Sequence, residues 1–134
     1  MFSIGVVAIV FDEHSCVLLS HRRDMDLWNL PGGGVEKDEL PTEAAVRETK
    51  EETGLDVVVE RLAGVYGKAY KDEFVFSFLC RAVDGQLTVT DEADDNRYFD
   101  IEGIPANVSL RELIVIHDAM DPGTLPVFRR LTLQ

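Results

Sequence analysis

Residues 47–55 read RETKEETGL, a run of helix-favouring side chains closed by a glycine where a helix stop is expected. At about 100° per residue, Glu51 and Glu52 both fall within roughly 60° of Glu48. Three carboxylates therefore share one helix face, and each like-charged neighbour at that spacing costs roughly 0.2–0.5 kcal/mol. A fold that keeps them must pin the helix against other structure and set positive charge before that face. The stretch ahead of it, DMDLWNLPGGGVEKDEL, is too rich in Gly and Pro for a regular element and reads as a structured loop. The helix is expected over 41–53, with Pro41 in its first turn and Gly54 at its end. Leu40 has no side-chain acceptor for an N-cap, which leaves Asp38 or solvent for that task.

A chain of 134 residues has the size of one domain, 1–134, with one real core. Its net charge is −12, from 25 acids against 13 bases. That balance argues against gripping nucleic acid through a general basic surface. A polyanionic small molecule stays compatible, provided that a few arginines or a metal supply cations locally. No window approaches the roughly 20 apolar residues of a membrane span. The start, MFSIGVVAIVFDEH, lacks a basic leader and reads as a first strand, so a cytoplasmic location is expected. Cys16 and Cys80 match no paired zinc or redox spacing and read as buried free thiols.

Residues 4–11 and 16–20 are apolar runs separated by DEHS, a hairpin or two adjacent strands. After the helix, 57–62 and 64–70 read as strands, and 74–83 alternates with Phe74, Phe76, Phe78 and Cys80 on one face. Asp84-Gly85 signals a hairpin into QLTVT. DEADDN reads as a loop and RYFDI as a short strand. SLRELIVIHDAM carries Ser109 and Glu112 at capping-box spacing and suits a second helix packed on a sheet. The expected class is α/β, a mixed sheet between helices in an α/β/α sandwich.

Loop and first helix together read GGGVEKDELPTEAAVRETKEETGL. Five residues separate Gly33 from Glu39 and seven separate Glu39 from Arg47, and Glu48, Glu51, Glu52, Gly54 and Leu55 follow. This 23-residue pattern, 33–55, resembles the Nudix box of the MutT-like Nudix hydrolases. The likeness extends more loosely through the strand pattern, WNLPGGG before the box and RYFDIEGIP after it. Two positions depart from the family pattern: Thr49 stands where a bulky aliphatic is usual, and Leu40 where a helix-capping residue is common.

The resemblance implies a metal-dependent enzyme that cleaves phosphoric anhydride bonds. It implies Glu48, Glu51 and Glu52 as ligands of Mg²⁺ or Mn²⁺, with the Gly32 carbonyl as a further ligand. Hard oxygen donors suit those ions, and a carboxylate-held divalent ion leaves positions for water and phosphate. Such an ion would turn the mutual repulsion of the glutamates into shared attraction. One glutamate or another nearby acid would accept a proton from the attacking water. Arg47, four residues before Glu51, is expected to hold carboxylates in place. Gly33 and Gly54 are expected to serve the local backbone, and Glu39 to brace the loop.

Other candidates carry an ordinary structural reading beside the functional one. An EXXEE run by itself is most often a solvated helix face; the glycines, Glu39 and Arg47 at family spacing reverse that preference. Asp91, Glu92, Asp94 and Asp95 read as an acidic surface loop, whereas the resemblance implies a further metal ligand or base from a loop at about this distance, for which Glu92 and Asp95 are the candidates. Arg22 and Arg23 can pair with phosphates, Arg23 being the preferred substrate contact. Trp28 can stack on a base or anchor the loop, the second being its more ordinary role. Tyr98 is a further substrate candidate. His14, His21 and His117 read as structural or exposed.

Within the resemblance, the favoured substrate is a nucleoside diphosphate derivative of the ADP-ribose or sugar-nucleotide type. Pyrophosphate release from a noncanonical nucleoside triphosphate is the alternative, because the box marks the cleavage chemistry and not the base. A nonenzymatic nucleotide sensor would not need the complete set of acids. An RNA 5′-end pyrophosphohydrolase would want a basic track, which the net charge disfavours. The expected partner is thus a nucleotide-derived small molecule, with neither membrane nor nucleic acid. Many members of the family are dimers, and a homodimer is left open.

Overall fold

The structure is a computed structural model that describes residues 1–132. Its elements run β1 (Ser3–Val10), β2 (Val17–Arg22), β3 (Trp28–Asn29), β4 (Gly32–Gly34), α1 (Pro41–Thr53), β5 (Leu55–Lys68), β6 (Glu73–Gly85), β7 (Ala93–Phe99), α2 (Leu110–Ala119) and β8 (Val127–Leu131). A mixed five-stranded sheet has the order β4-β1-β6-β5-β8, and a three-stranded antiparallel sheet has the order β3-β2-β7. β1 runs parallel to β6, and β5 parallel to β8.

Alternation along β1 explains why the sheet is covered on both faces. Val6, Ala8 and Val10 join Ala44 and Ala45 of α1 in one apolar cluster. Ile9 turns the other way and joins Val115, Ile116 and Ala119 of α2. Each fully buried Val or Ile among them contributes roughly 1.5–3 kcal/mol of burial free energy. The expected α/β arrangement, a mixed sheet between two helices, is the one observed.

Several elements differ from the sequence reading. The two strands expected at 57–62 and 64–70 are one long β5, bent by irregular pairing between Leu62 and Gly64 and at two earlier points. Bulges bend a strand without ending it. QLTVT does not form the second arm of a hairpin. Gly85, at φ 82°, ends β6, and the Thr88 N–H then donates to the Thr53 carbonyl, which lays this segment along the end of α1. β7 starts at Ala93, inside the expected loop, because Ala93 is buried and pairs with Arg22. β1 and β2 lie in different sheets, with a Phe11–Val17 bridge where the chain passes from one to the other. Cys80 is buried, whereas Cys16 is partly exposed.

Both helix starts also differ from expectation. At α1 the Leu40 N–H donates to Glu43 Oε1 at 2.9 Å, so the return half of a capping box is made by Glu43 and not by Asp38. At α2 the Ser109 hydroxyl accepts from the Glu112 N–H, but the Glu112 carboxylate does not return to Ser109. It accepts instead from the Leu30 N–H, at 3.2 Å.

Candidate active site

The face that α1 turns to the sheet is made of small residues, Ala44, Ala45, Thr49 and Thr53. Thr49 is fully buried, and its hydroxyl is satisfied inside the helix by the Ala45 carbonyl at 2.7 Å. The departure from an aliphatic at this position therefore leaves no unpaired polar group. Helical rotation then grades the acids by depth. At about 100° per residue, Glu52 projects within roughly 20° of Ala45, Glu48 about 60° away and Glu51 about 120° away. The Glu48 side chain is 13% exposed and that of Glu51 46%.

Glu52 is withdrawn furthest. Burial pushes its pKa up to about 8, against the lowering effect of the Gly32 N–H, which donates to Oε2 at 2.7 Å. Burial also raises Glu48, opposed by the adjacent Arg47 and reinforced by Glu92 and Glu51. Arg47 is the local positive charge that the three-glutamate face requires. Its Nε and Nη2 fork onto Glu39 at 2.7 and 3.0 Å, its Nη1 lies 3.0 Å from Glu48 and 3.2 Å from Glu51, and Nη2 also donates to the Gly34 carbonyl. The Arg47 guanidinium holds the Glu39 carboxyl down at about 2.

Gly33 packs directly beneath this network, where a Cβ would come within 2.5 Å of the Glu48 carboxyl carbon. Gly54, at φ 84°, closes the helix with its N–H on the Lys50 carbonyl. Both positions demand glycine, for close approach and for positive φ respectively.

One carboxylate oxygen from each of Glu48, Glu51 and Glu92 lies within 4.8 Å of the other two. Glu92 reaches the helix because its loop is tied down. Thr90 Oγ1 donates to the Glu52 carbonyl at 3.1 Å and accepts from the N–H groups of Glu92 and Ala93. Asn96 adds Nδ2 contacts to the carbonyls of Glu52 and Thr88, and is itself held by the Ser20 hydroxyl at 2.6 Å. Neither Thr90 nor Asn96 stands out in the sequence, since their task depends on where the chain returns after β6.

Other candidates are placed elsewhere. Asp95 is engaged by Arg97 at 2.8 Å and is not part of the trio. Trp28 lies on the opposite side of the small sheet, edge-on to His21 and Phe99 with ring centroids 5.0 and 4.9 Å away, so it anchors the loop. Tyr98 packs against the α1-side core, and burial raises its pKa. Gly32 meets α1 through its amide, which donates to Oε2 of Glu52; Glu52 is not one of the three closely grouped carboxylates, though Glu48, Glu92 and Glu51 all add to raising its pKa. Arg23 stays beside the cleft, its Nε donating to the Thr90 carbonyl at 2.7 Å. Arg22, Arg23, Asn29, Glu52 and Glu92 line this cleft, which encloses about 410 Å³.

Three oxygen donors so close together fit a hard divalent cation such as Mg²⁺ or Mn²⁺, and two arginines beside them fit phosphate oxygens. Comparison with known proteins agrees with this chemistry. The NUDIX domain profile matches residues 1–118. The chain belongs to the Nudix family. A MutT-like protein of Streptomyces ambofaciens is 30% identical over 121 residues, covering 90% of this chain and 79% of that protein. An ADP-ribose pyrophosphatase of Methanocaldococcus jannaschii is 34% identical over 109 residues, covering 77% of this chain and 64% of that protein. A putative 8-oxo-dGTP diphosphatase of Bacillus subtilis is 43% identical over 74 residues, and the match spans only 54% of this chain and 50% of that protein. Among solved structures, an ADP-ribose pyrophosphatase from Streptococcus suis superposes with a TM-score of 0.80 at 25% identity, covering 98% of this chain and 100% of that one. The chain is thus similar to proteins named for different substrates.

Proposed function

We propose that this Nudix protein hydrolyses the pyrophosphate linkage of a nucleoside diphosphate derivative, of the ADP-ribose or sugar-nucleotide type, with Mg²⁺ or Mn²⁺. The observation that carries the proposal is the convergence of Glu48, Glu51 and Glu92, the last of which also lines a cleft shared with Arg22 and Arg23. Glu48, Glu51 and Glu92 would hold the ion. When bound, a divalent ion at such a site polarises a phosphoryl oxygen and stabilises charge on the leaving phosphate. Arg47 keeps two of the three carboxylates in place, and Gly33 lets Glu48 lie against the loop. Glu52 lines the cleft outside the trio and would take the proton from water attacking phosphorus. Arg22 and Arg23 would receive phosphate oxygens, Arg22 after exchanging its contact with Asp24.

The likeness to the Streptococcus suis ADP-ribose pyrophosphatase over nearly the whole of both chains supports the diphosphate-derivative reading. The 43% identity to a putative 8-oxo-dGTP diphosphatase supports the second reading, release of pyrophosphate from a nucleoside triphosphate. Product analysis on ADP-ribose, sugar nucleotides, dinucleotides and nucleoside triphosphates separates them. The first reading gives a nucleoside monophosphate and a phosphorylated second group, whereas the second gives a nucleoside monophosphate and pyrophosphate.

A further inference from the structure

A second cavity, of about 230 Å³, lies on the α2 side of the sheet. Arg22 and Asn29 line both this cavity and the acidic cleft, so the two are neighbours along one path. Ligand clefts that bury a whole drug-sized molecule run roughly 300–1,000 Å³. This smaller space, with Val7, Val75 and Val115 on its apolar wall and Arg22, Lys68 and Arg111 also at its lining, suits one ring system whose phosphates extend toward the cations.

Glu112 lines the cavity. Its carboxylate has been diverted from the helix start to the Leu30 N–H, which it meets through Oε1. Among the described residues the carboxylate accepts no other hydrogen bond, and Oε2 has no protein donor. Arg111 and Lys68 act on it only at longer range, and the Lys68 ammonium is held by Glu73 at 2.7 Å. Glu112 is half-buried, and burial pushes its pKa up to about 7 against the lowering influence of the Leu30 N–H, Arg111 and Lys68, so holding a carboxylate there carries a cost. A glutamine would serve the Leu30 N–H equally well through its amide oxygen and avoid that cost. What a carboxylate adds is a second acceptor, so the residue makes chemical sense where a ligand brings two N–H donors.

We propose that Glu112 reads the base of the substrate, accepting the N1–H and N2–H₂ donors of a guanine ring seated in this cavity. Two parallel N–H donors on one carboxylate form a charge-assisted bidentate pair. Adenine offers one donor and one acceptor on the corresponding edge and lacks that match. The inference rests on the proposed nucleotide substrate, and within it selects a guanosine diphosphate carrying a second group over ADP-ribose.

Equilibrium binding tests it without requiring turnover. GDP, IDP and ADP are titrated by calorimetry into the wild-type chain and into Glu112→Gln, with Mg²⁺ and with chelator, and melting temperatures are recorded for both proteins. IDP keeps N1–H and lacks the N2 amine. The wild type is expected to bind GDP about 10- to 100-fold more tightly than ADP, the discrimination of a good bidentate pair, with IDP between them. Glu112→Gln is expected to lose that preference while keeping its affinity for ADP and its melting temperature. Equal binding of the three nucleotides by the wild type, no binding of any, or equal weakening of all three in Glu112→Gln would overturn the assignment. Guanine preference without hydrolysis of any guanosine derivative would count against the proposed reaction and leave the base assignment standing. Hydrolysis without base preference would do the reverse.

Discussion

Arg47 and Glu39 are joined by a two-pronged contact, Nε to Oε2 at 2.7 Å and Nη2 to Oε1 at 3.0 Å. It fastens the glycine loop to the acid-bearing helix while the remaining Nη1 hydrogens reach Glu48 and Glu51. Lysine cannot reproduce this fork, because an ammonium is a single point charge. Arg47→Lys should therefore leave the fold intact and weaken metal binding by about 10- to 100-fold, the usual effect of losing a group that orients ligands. Titration of Mn²⁺ followed by electron paramagnetic resonance checks this directly.

Gly33→Ala tests the packing of the loop under the helix. A methyl group there would collide with the Glu48 carboxyl, which Arg47 prevents from simply swinging aside. A displacement of about 1 Å at a reacting centre can cost roughly 10²-fold in rate. Turnover should fall by about that factor, and the melting temperature should fall as well, since overpacking of this kind costs roughly 1–3 kcal/mol.

His21 stitches three segments together. Its Nε2 lies 2.8 Å from Asp26 and its Nδ1 2.7 Å from Asp94, and these two carboxylates raise its pKa, Asp26 contributing most. The folded value lies above the unfolded value of 6.5. Stabilisation from this clamp is then fully present below pH 6.5 and lost as pH rises through the folded pKa. In thermal melts the gap between wild type and His21→Gln should be widest near pH 5.5 and close progressively at alkaline pH. A gap that widens on raising the pH would contradict this account.

Tyr66 is fully buried, and its hydroxyl donates to Asp118 at 2.8 Å, a carboxylate also held by Arg129. Tyr66→Phe keeps the ring and removes one hydrogen bond, leaving Asp118 with its arginine. A loss of about 0.5–1.5 kcal/mol is expected in denaturant melts.

Much of this architecture is legible in the sequence because it depends on local pattern. The α1 limits follow from Pro41 and Gly54, and the three-carboxylate face from residue spacing. The bend of β5 at Gly64 looks like a strand end in the sequence, since a bulge and a break share the same small residues. Glu92 and Asp95 are indistinguishable by composition. Only the route of residues 86–92 along the end of α1, fixed by Thr90 and Asn96, brings Glu92 to the helix and leaves Asp95 to Arg97. Trp28 and Tyr98 are aromatic positions whose side of the small sheet is set by the pairing of β2 with β3 and β7. Glu112 carries a capping-box spacing in the sequence, and the nearby Leu30 N–H, distant along the chain, redirects it.

The central claim is that Glu48, Glu51 and Glu92 hold the cation required for cleavage of a phosphoric anhydride. The most direct test is product release from ADP-ribose, sugar nucleotides and nucleoside triphosphates, with Mg²⁺, with Mn²⁺ and with chelator, for wild type, Glu51→Gln, Glu52→Gln and Glu92→Gln. The account predicts metal-dependent cleavage that chelator abolishes. It predicts a loss of roughly 10²–10⁴-fold in Glu52→Gln, the range for removing an acid-base group, and weakened Mn²⁺ binding in Glu51→Gln and Glu92→Gln. Cleavage that persists in chelator, or near-normal turnover and Mn²⁺ affinity in all three variants, would contradict it.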